Sequence, residues 1–196
     1  MLLRKKEEIE VWLNQYNITN YELIEDKKYG YVVNVNGSVY LNNKKIKNID
    51  VKFNEIHGFF DFSHNKLETL KGFPEIVNGH FDCNFNELKS LKYGPKIVKG
   101  TFNCSYNQLN SLEYGPKIVK GNFYCNHNKL TTLEGSPEII LENFECHKNL
   151  LKTLKGCPKK VSRNFICHSN QLETLYGSPE IIQEVFDCNS NQLKSL

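Results

Sequence analysis

The sequence predicts an α/β solenoid, mostly β, wound from tandem 21-residue coils behind a short helical cap. Three observations predict it. Phenylalanine recurs every twenty-one residues, at Phe60, Phe81, Phe102, Phe123, Phe144, Phe165 and Phe186. Asparagine keeps the same interval from Asn65 to Asn191, and leucine keeps it from Leu67 to Leu193. All six prolines, Pro74, Pro95, Pro116, Pro137, Pro158 and Pro179, fall on a single phase. Units this regular can bury their apolar faces only against their neighbours, which is the constraint that makes a solenoid.

Residues 1–35 do not repeat. Ile9, Trp12 and Leu13 follow a charged stretch at helical spacing, predicting an amphipathic helix over about residues 3–15. Apolar and aromatic residues in 21–25 and 31–35 flank Lys27-Lys28-Tyr29-Gly30, the pattern of a hairpin. Trp12, the only tryptophan, is expected to plug the open end of the core. One repeat before Phe60, Leu67, Leu70 and Val77 stand Val39, Ile46, Ile49 and Ile56, all apolar, while the asparagine position holds Lys44. That is how a terminal rung should look. The division expected is a helix-plus-hairpin cap over 1–35 and repeats over 36–196: one degenerate capping repeat, then seven units, the last incomplete.

Within a unit, Phe102 and Cys104 are two apart, a strand period that turns both inward and Thr101, Asn103 and Ser105 outward. Asn107 follows where the strand must turn, and its amide can satisfy turn backbone groups as one step of an internal ladder. Leu109 and Leu112 point in again, Gly115-Pro116 breaks regular structure, and Ile118 and Val119 lead to the next strand. Cys83, Cys104, Cys125, Cys146, Cys167 and Cys188 share one slot, occupied by Phe62 and Leu41 in earlier rungs. A slot that accepts Phe, Leu or Cys is a core slot in which the thiol acts as a small hydrophobe. No C-x-x-C spacing suggests metal.

The segment F-x-C-x-x-N-x-L-x-x-L resembles a leucine-rich repeat with Phe and Cys in two of the usual aliphatic slots. Its short return side, carrying Gly-x-Pro or Tyr-Gly-Pro, is similar to the short repeats of bacterial effectors. The texture V-x-G-x-F-x-C-x-x-N-x-L-x-S-L resembles repeats of uncharacterised bacteriophage and giant-virus proteins. The resemblance implies a right-handed coil with a parallel concave sheet, an irregular convex side, and binding residues on the concave face. The units depart from one another at one point: Gly58, Gly79, Gly100 and Gly121 give way to Glu142, Arg163 and Glu184.

Outward positions on that face carry Tyr40, Phe59, Phe85, Tyr106 and Tyr124 toward the N-terminal half, where exposed rings suit binding anchors. Asp61, Asp82, Glu145 and Asp187 stand there against Lys148 alone, which suits a protein partner with a basic patch and makes a poor host for a phosphate backbone. His80, Asn103, His127, His147 and His168 complete the candidate partner-binding set, and His64 shares the face. His147 and His168 occupy one row on adjacent rungs near Glu145, but no third ligand is evident, so no metal or cofactor is expected. On the last rung Phe186, Asp187, Leu193 and Leu196 form a candidate oligomer or docking edge, since no cap follows them. End-to-end homodimerisation, docking of a partner and truncation each account for such an edge, and homodimerisation or partner docking is the expectation there.

A rim before the strands stacks Lys96, Lys99, Lys117 and Lys120, extended by Lys159 and Lys160 and interrupted by Glu75, Glu138 and Glu180. A nucleic-acid surface wants a continuous basic track, so solubility explains these lysines better. The formal net charge of +3 is too small to imply nucleic acid by itself. No apolar stretch follows the basic residues of the N-terminus, and no run approaches the roughly 18 residues of a membrane span. A cytoplasmic protein without a membrane partner is expected.

No Ser/His/Asp or Cys/His arrangement rises above the repeat, and cysteines in a core slot make poor nucleophiles. The expected function is therefore a non-enzymatic protein-binding scaffold. The viral flavour of the repeats narrows it to an inhibitor of a host defence complex, such as a CRISPR effector, acting in the host cytoplasm. Nucleic-acid binding or mimicry through the lysine rim and a purely structural oligomerisation module are the alternatives.

Overall fold

The computed structural model of the chain describes residues 2–194. Helix α1 spans Lys6–Gln15, starting later than the helical spacing suggested. Leu3 N–H donates to the Asp50 carbonyl at 2.6 Å, so the first residues lie extended against the first rung, and Lys5 supplies no side-chain cap. Ile9, Trp12 and Leu13 are buried. The Trp12 ring lies 6.1 Å from Phe53, itself 5.2 Å from Phe60, so the indole covers the start of the core column. Strands β1 (Tyr21–Asp26) and β2 (Gly30–Val35) pair antiparallel as a hairpin. The Asp26 carboxylate closes its turn by accepting from the Lys28 and Tyr29 N–H groups, both at 2.8 Å.

The repeats form a mostly β solenoid with parallel sheets. One sheet runs from β3 (Val39–Tyr40) through β5 (Phe60–Asp61), β7 (Phe81–Asp82), β9 (Phe102–Asn103), β11 (Phe123–Tyr124), β13 (Phe144–Glu145) and β15 (Phe165–Ile166) to β17 (Phe186–Asp187). These eight strands pair parallel in strict register, Phe against Phe from β5 onward. The other side is less irregular than expected. There β2 continues into β4 (Phe53–Ile56), β6 (Ile76–Val77), β8 (Ile97–Val98) and β10 (Ile118–Val119), completing a six-stranded sheet with β1. A separate three-stranded sheet holds β12 (Ile139–Ile140), β14 (Lys160–Val161) and β16 (Ile181–Ile182).

Phe, Cys, Leu and Val from these elements share one hydrophobic cluster. Phe81 and Phe102 stack at 5.3 Å, and Phe144 and Phe165 at 5.4 Å and 4° between planes, the spacing of parallel strands about 5 Å apart. Burying each such ring stabilises the fold by about 1.5–3 kcal/mol. Cys83, Cys104, Cys125, Cys146 and Cys167 are buried and unpaired, and burial pushes their thiols above the usual range.

The asparagine column ties rung to rung. The Asn107 side-chain oxygen accepts from Leu88 N–H at 2.9 Å, while its amide donates to the carbonyls of Cys83, Cys104 and Ser105 at 3.0–3.2 Å. The same set recurs at Asn86, Asn128, Asn149, Asn170 and Asn191. Asn65 accepts from Lys44 and Ile46 N–H, so the first rung, which lacks its own asparagine, is closed by the next. Each ladder asparagine follows a residue at φ near +50°: His64, Phe85, Tyr106, His127, Lys148, Ser169 and Ser190. That left-handed step ends the strand after two residues and breaks the expected alternation. Ser63, Ser105 and Asn126 are consequently buried rather than outward, and the Ser105 hydroxyl donates to the Asn126 side-chain oxygen at 2.6 Å.

Candidate functional site

The left-handed step places side chains on the outward face of the eight-stranded sheet. On four successive rungs the residue forced to positive φ is aromatic, although Gly or Asn adopts that conformation at least cost. His64 and Phe85 stack at 4.4 Å, Phe85 and Tyr106 at 4.1 Å, Tyr106 and His127 at 4.0 Å, with planes within 14°. The column then steps sideways: His127 meets His147 edge-on at 5.6 Å, and His147 stacks on His168 at 4.5 Å. Six rings thus run along one edge of the sheet. Phe85 and Tyr106 are exposed, and His64 with them.

Beside the column lies a hollow of ≈ 340 Å³ lined by Tyr40, Phe59, Asp61, His80, Asp82, Asn103 and Tyr124. Phe59 leans on His80 at 4.5 Å and meets Tyr40 edge-on at 6.4 Å. His80 Nδ1 accepts from Thr101 N–H at 2.8 Å, which leaves the ring proton on Nε2 as a donor. Tyr40, Phe59 and His80 are exposed, whereas Tyr124 is half-buried.

The carboxylates have local work as well. Asp61, Asp82 and Asp187 accept from the N–H two residues on, as Asn103 does, at 2.8–3.1 Å. Burial raises Asp82, helped by the neighbouring charge of Asp61, and burial raises Glu145. His147 is pulled down to about 4, first by burial and then by the fields of His168 and His127. Its Nδ1 lies 3.8 Å from Glu145, so near neutrality this is a contact with a neutral imidazole. The residues named from the sequence divide accordingly. Tyr40, Phe59, Asp61, His80, Asp82, Asn103 and Tyr124 share the hollow; Phe85, Tyr106, His127, His147 and His168 share the ring column, with Glu145 beside His147. His64, on the face but outside the candidate set, belongs to the column, in phase with Phe85, Tyr106 and His127.

At the far end Phe186, Asp187 and Leu193 are half-buried, and the Phe186 ring turns edge-on to Phe165 at 5.6 Å. Leu196 lies outside the described residues. On the rim, Lys159 pairs with Glu138 at 3.4 Å, and Lys96 Nζ donates to the Tyr114 carbonyl at 3.1 Å. Among the described residues no cluster of three or more His, Cys, Asp or Glu forms a metal site, and no helix is long and apolar enough to cross a membrane. No characterised protein family, curated protein or solved structure matches the chain.

Proposed function

We propose that the protein is a non-enzymatic binding scaffold that engages a protein partner through the outward face of its eight-stranded sheet, the concave face of the leucine-rich-repeat expectation. The observation that carries this reading is the stack of His64, Phe85, Tyr106 and His127 at positive φ. Holding a side chain in the left-handed region costs about 1–2 kcal/mol per residue. Stacking of the rings returns about 0.5–1.5 kcal/mol per pair, and four strained residues share three pairs, so the column is a net cost to folding of about 2–4 kcal/mol. What it provides is a flat, rigid aromatic strip beside a hollow that carries Asp61 and Asp82. Arginine and lysine side chains match that combination, stacking on rings while meeting carboxylates, so the partner's contact surface is basic.

The buried thiols support the non-enzymatic part, since a thiol held above its usual range supplies little thiolate at neutral pH. The narrower reading, a viral inhibitor of a host defence complex, rests on the resemblance of the repeats alone. The test is affinity capture from cell lysate with the full chain and with Phe85→Gly/Tyr106→Gly, which removes two rings at positions where glycine is at ease. A protein retained by the parent and lost with the double variant is the expected result. Equal capture by both, or capture by neither, favours a structural role instead.

A further inference from the structure

We propose that a second surface, the groove between the hairpin turn and the Gly-Pro edge of the first repeats, binds single-stranded nucleic acid, with lysine ammonium groups meeting phosphates and tyrosine rings meeting bases. The groove measures ≈ 320 Å³ and lies apart from the ring column. Lys28 from the hairpin turn, Lys52, Lys71, Lys92 and Lys96 line it. Glu75 is the one carboxylate in the lining, and the nearby Asp26 side chain is engaged by the turn. Among the described residues none of these five lysines lies within 4.0 Å of a carboxylate. The later repeats are built otherwise: Lys155 meets Glu134 at 3.0 Å, Lys159 meets Glu138 at 3.4 Å, and Lys194 meets Glu173 at 2.9 Å, each one rung apart. On the matching repeat positions Lys71, Lys92 and Lys96 stand without the carboxylate partner that Lys155 and Lys159 have one rung away.

Lys52 sharpens the point. It is half-buried, donates to the Phe73 carbonyl at 2.6 Å, and has its pKa lowered by burial. An anion laid across the groove would relieve that penalty.

The tyrosines are the second, independent observation. The residue two before each repeat proline sits at positive φ, and in four repeats it is glycine: Gly72, Gly135, Gly156 and Gly177. In the two repeats that flank the groove it is Tyr93 at +73° and Tyr114 at +66°, with 53% and 52% of their surface exposed. Two bulky residues thus hold a conformation that the fold elsewhere assigns to glycine, while burying little. Backbone strain of this kind gathers at functional sites. Lys92 Nζ lies 5.3 Å from the Tyr93 ring and Lys28 Nζ 4.8 Å from Tyr29, so two of the three groove tyrosines have a cation beside the ring. A basic groove interleaved with open aromatic faces is how single strands are held without sequence preference, because every base presents a π-face. In a duplex those faces are already stacked, and an acidic peptide has no use for the rings. The groove shares Lys96 and Glu75 with the interrupted rim but adds Lys28 from the hairpin turn and Lys52, Lys71 and Lys92 from three rungs, so no single repeat phase displays it.

Fluorescence anisotropy with the full chain and a labelled oligothymidylate tests the proposal, with unlabelled duplex, ATP and polyglutamate as competitors. Binding should weaken with salt at a slope of about −0.7 per phosphate neutralised, so about −2 to −3 for three or four lysines. Lys71→Glu/Lys92→Glu should lower affinity by about tenfold or more as those contacts are lost. Tyr93→Gly/Tyr114→Gly should lower it by at least about fivefold through lost stacking, with a melting temperature equal to or above the parent's. Strand binding that survives both pairs of substitutions overturns the assignment. So does competition by ATP, duplex or polyglutamate as strong as that of the unlabelled strand, or the absence of binding at low salt.

Discussion

The rungs up to Gly121 and those after it close the same corner by different means. In the first set Gly58, Gly79, Gly100 and Gly121 each donate N–H to the carbonyl of the glycine one rung before, at 2.9–3.0 Å. A Cβ at Gly100 would come within 2.8 Å of the Gly79 carbonyl group, so the backbones meet too closely for any side chain. In the second set the backbone bond persists from Glu184 N–H to the Arg163 carbonyl at 3.3 Å, and a ladder of side-chain amides extends the acceptors that Ser38 and His80 already offer to the Phe59 and Thr101 N–H groups. Asn122 Oδ1 accepts from the backbone and side-chain N–H of Asn143, Asn143 Oδ1 does the same for Asn164, and Glu142 pairs with Arg163 at 2.7 Å. Where glycine gives way to Glu142, the Ile/Val sheet breaks between β10 and β12, while the Phe sheet runs through undisturbed. Ile118, Ile139 and Leu141 are left exposed along that seam. The asparagine and Phe columns thus hold the solenoid together, while the corner is free to vary. The ring column crosses the seam from His64 to His168, whereas the lysine groove belongs to the N-terminal rungs and the Glu142–Arg163 pair and the Asn122–Asn143–Asn164 ladder to the C-terminal ones.

Substitutions across the seam can break that view. Asn86→Ala and Asn149→Ala, one on each side, should each cost about 2–4 kcal/mol in urea unfolding, because each strands a buried N–H and several carbonyls. A much smaller loss on one side would show that the asparagine ladder is not common to both halves. Gly100→Ala should cost about 1–3 kcal/mol through overpacking, whereas Glu142→Ala should cost less than about 0.5 kcal/mol. Equal effects would remove the distinction between the corners.

A smaller effect concerns acid. His147, pulled from 6.5 to about 4 in the folded protein, and His127, also lowered by burial, take up protons more readily in the unfolded chain. Stability is therefore lost as pH falls from about 6.5 toward about 4. Asp82 and Glu145, raised by burial, act in the opposite sense toward the acid end. The histidine contribution is on the order of 1 kcal/mol once solvent screening of these half-exposed rings is allowed for. His127→Asn/His147→Asn should flatten the fall in melting temperature across that window. An unchanged profile would place the acid sensitivity elsewhere.

Much of the core was legible because a 21-residue phase converts directly into stacked columns: Phe102 over Phe123, Cys104 over Cys125, Asn107 over Asn128. The hairpin and the buried face of the helix followed from ordinary periodicity. The second sheet did not, because Ile-Val pairs give no alternation and their strands are only two residues long. The burial of Ser105 escaped for a related reason, since alternation fails once the backbone turns left-handed at Tyr106. A dihedral angle leaves no mark on an aromatic residue in sequence, so the strained column and the strained tyrosines of the lysine groove became visible only as geometry.

Tyr106 and Asn107 are chain neighbours with opposite assignments, one ring held outward for contact and one amide turned inward to hold the rungs. Urea unfolding of Tyr106→Gly beside Asn107→Ala separates them. Tyr106→Gly should stay within about 1 kcal/mol of the parent, since relief of strain offsets lost stacking, while Asn107→Ala should lose about 2–4 kcal/mol. A Tyr106→Gly protein as unstable as Asn107→Ala would make the aromatic strip a structural member and remove the basis for reading it as a binding face.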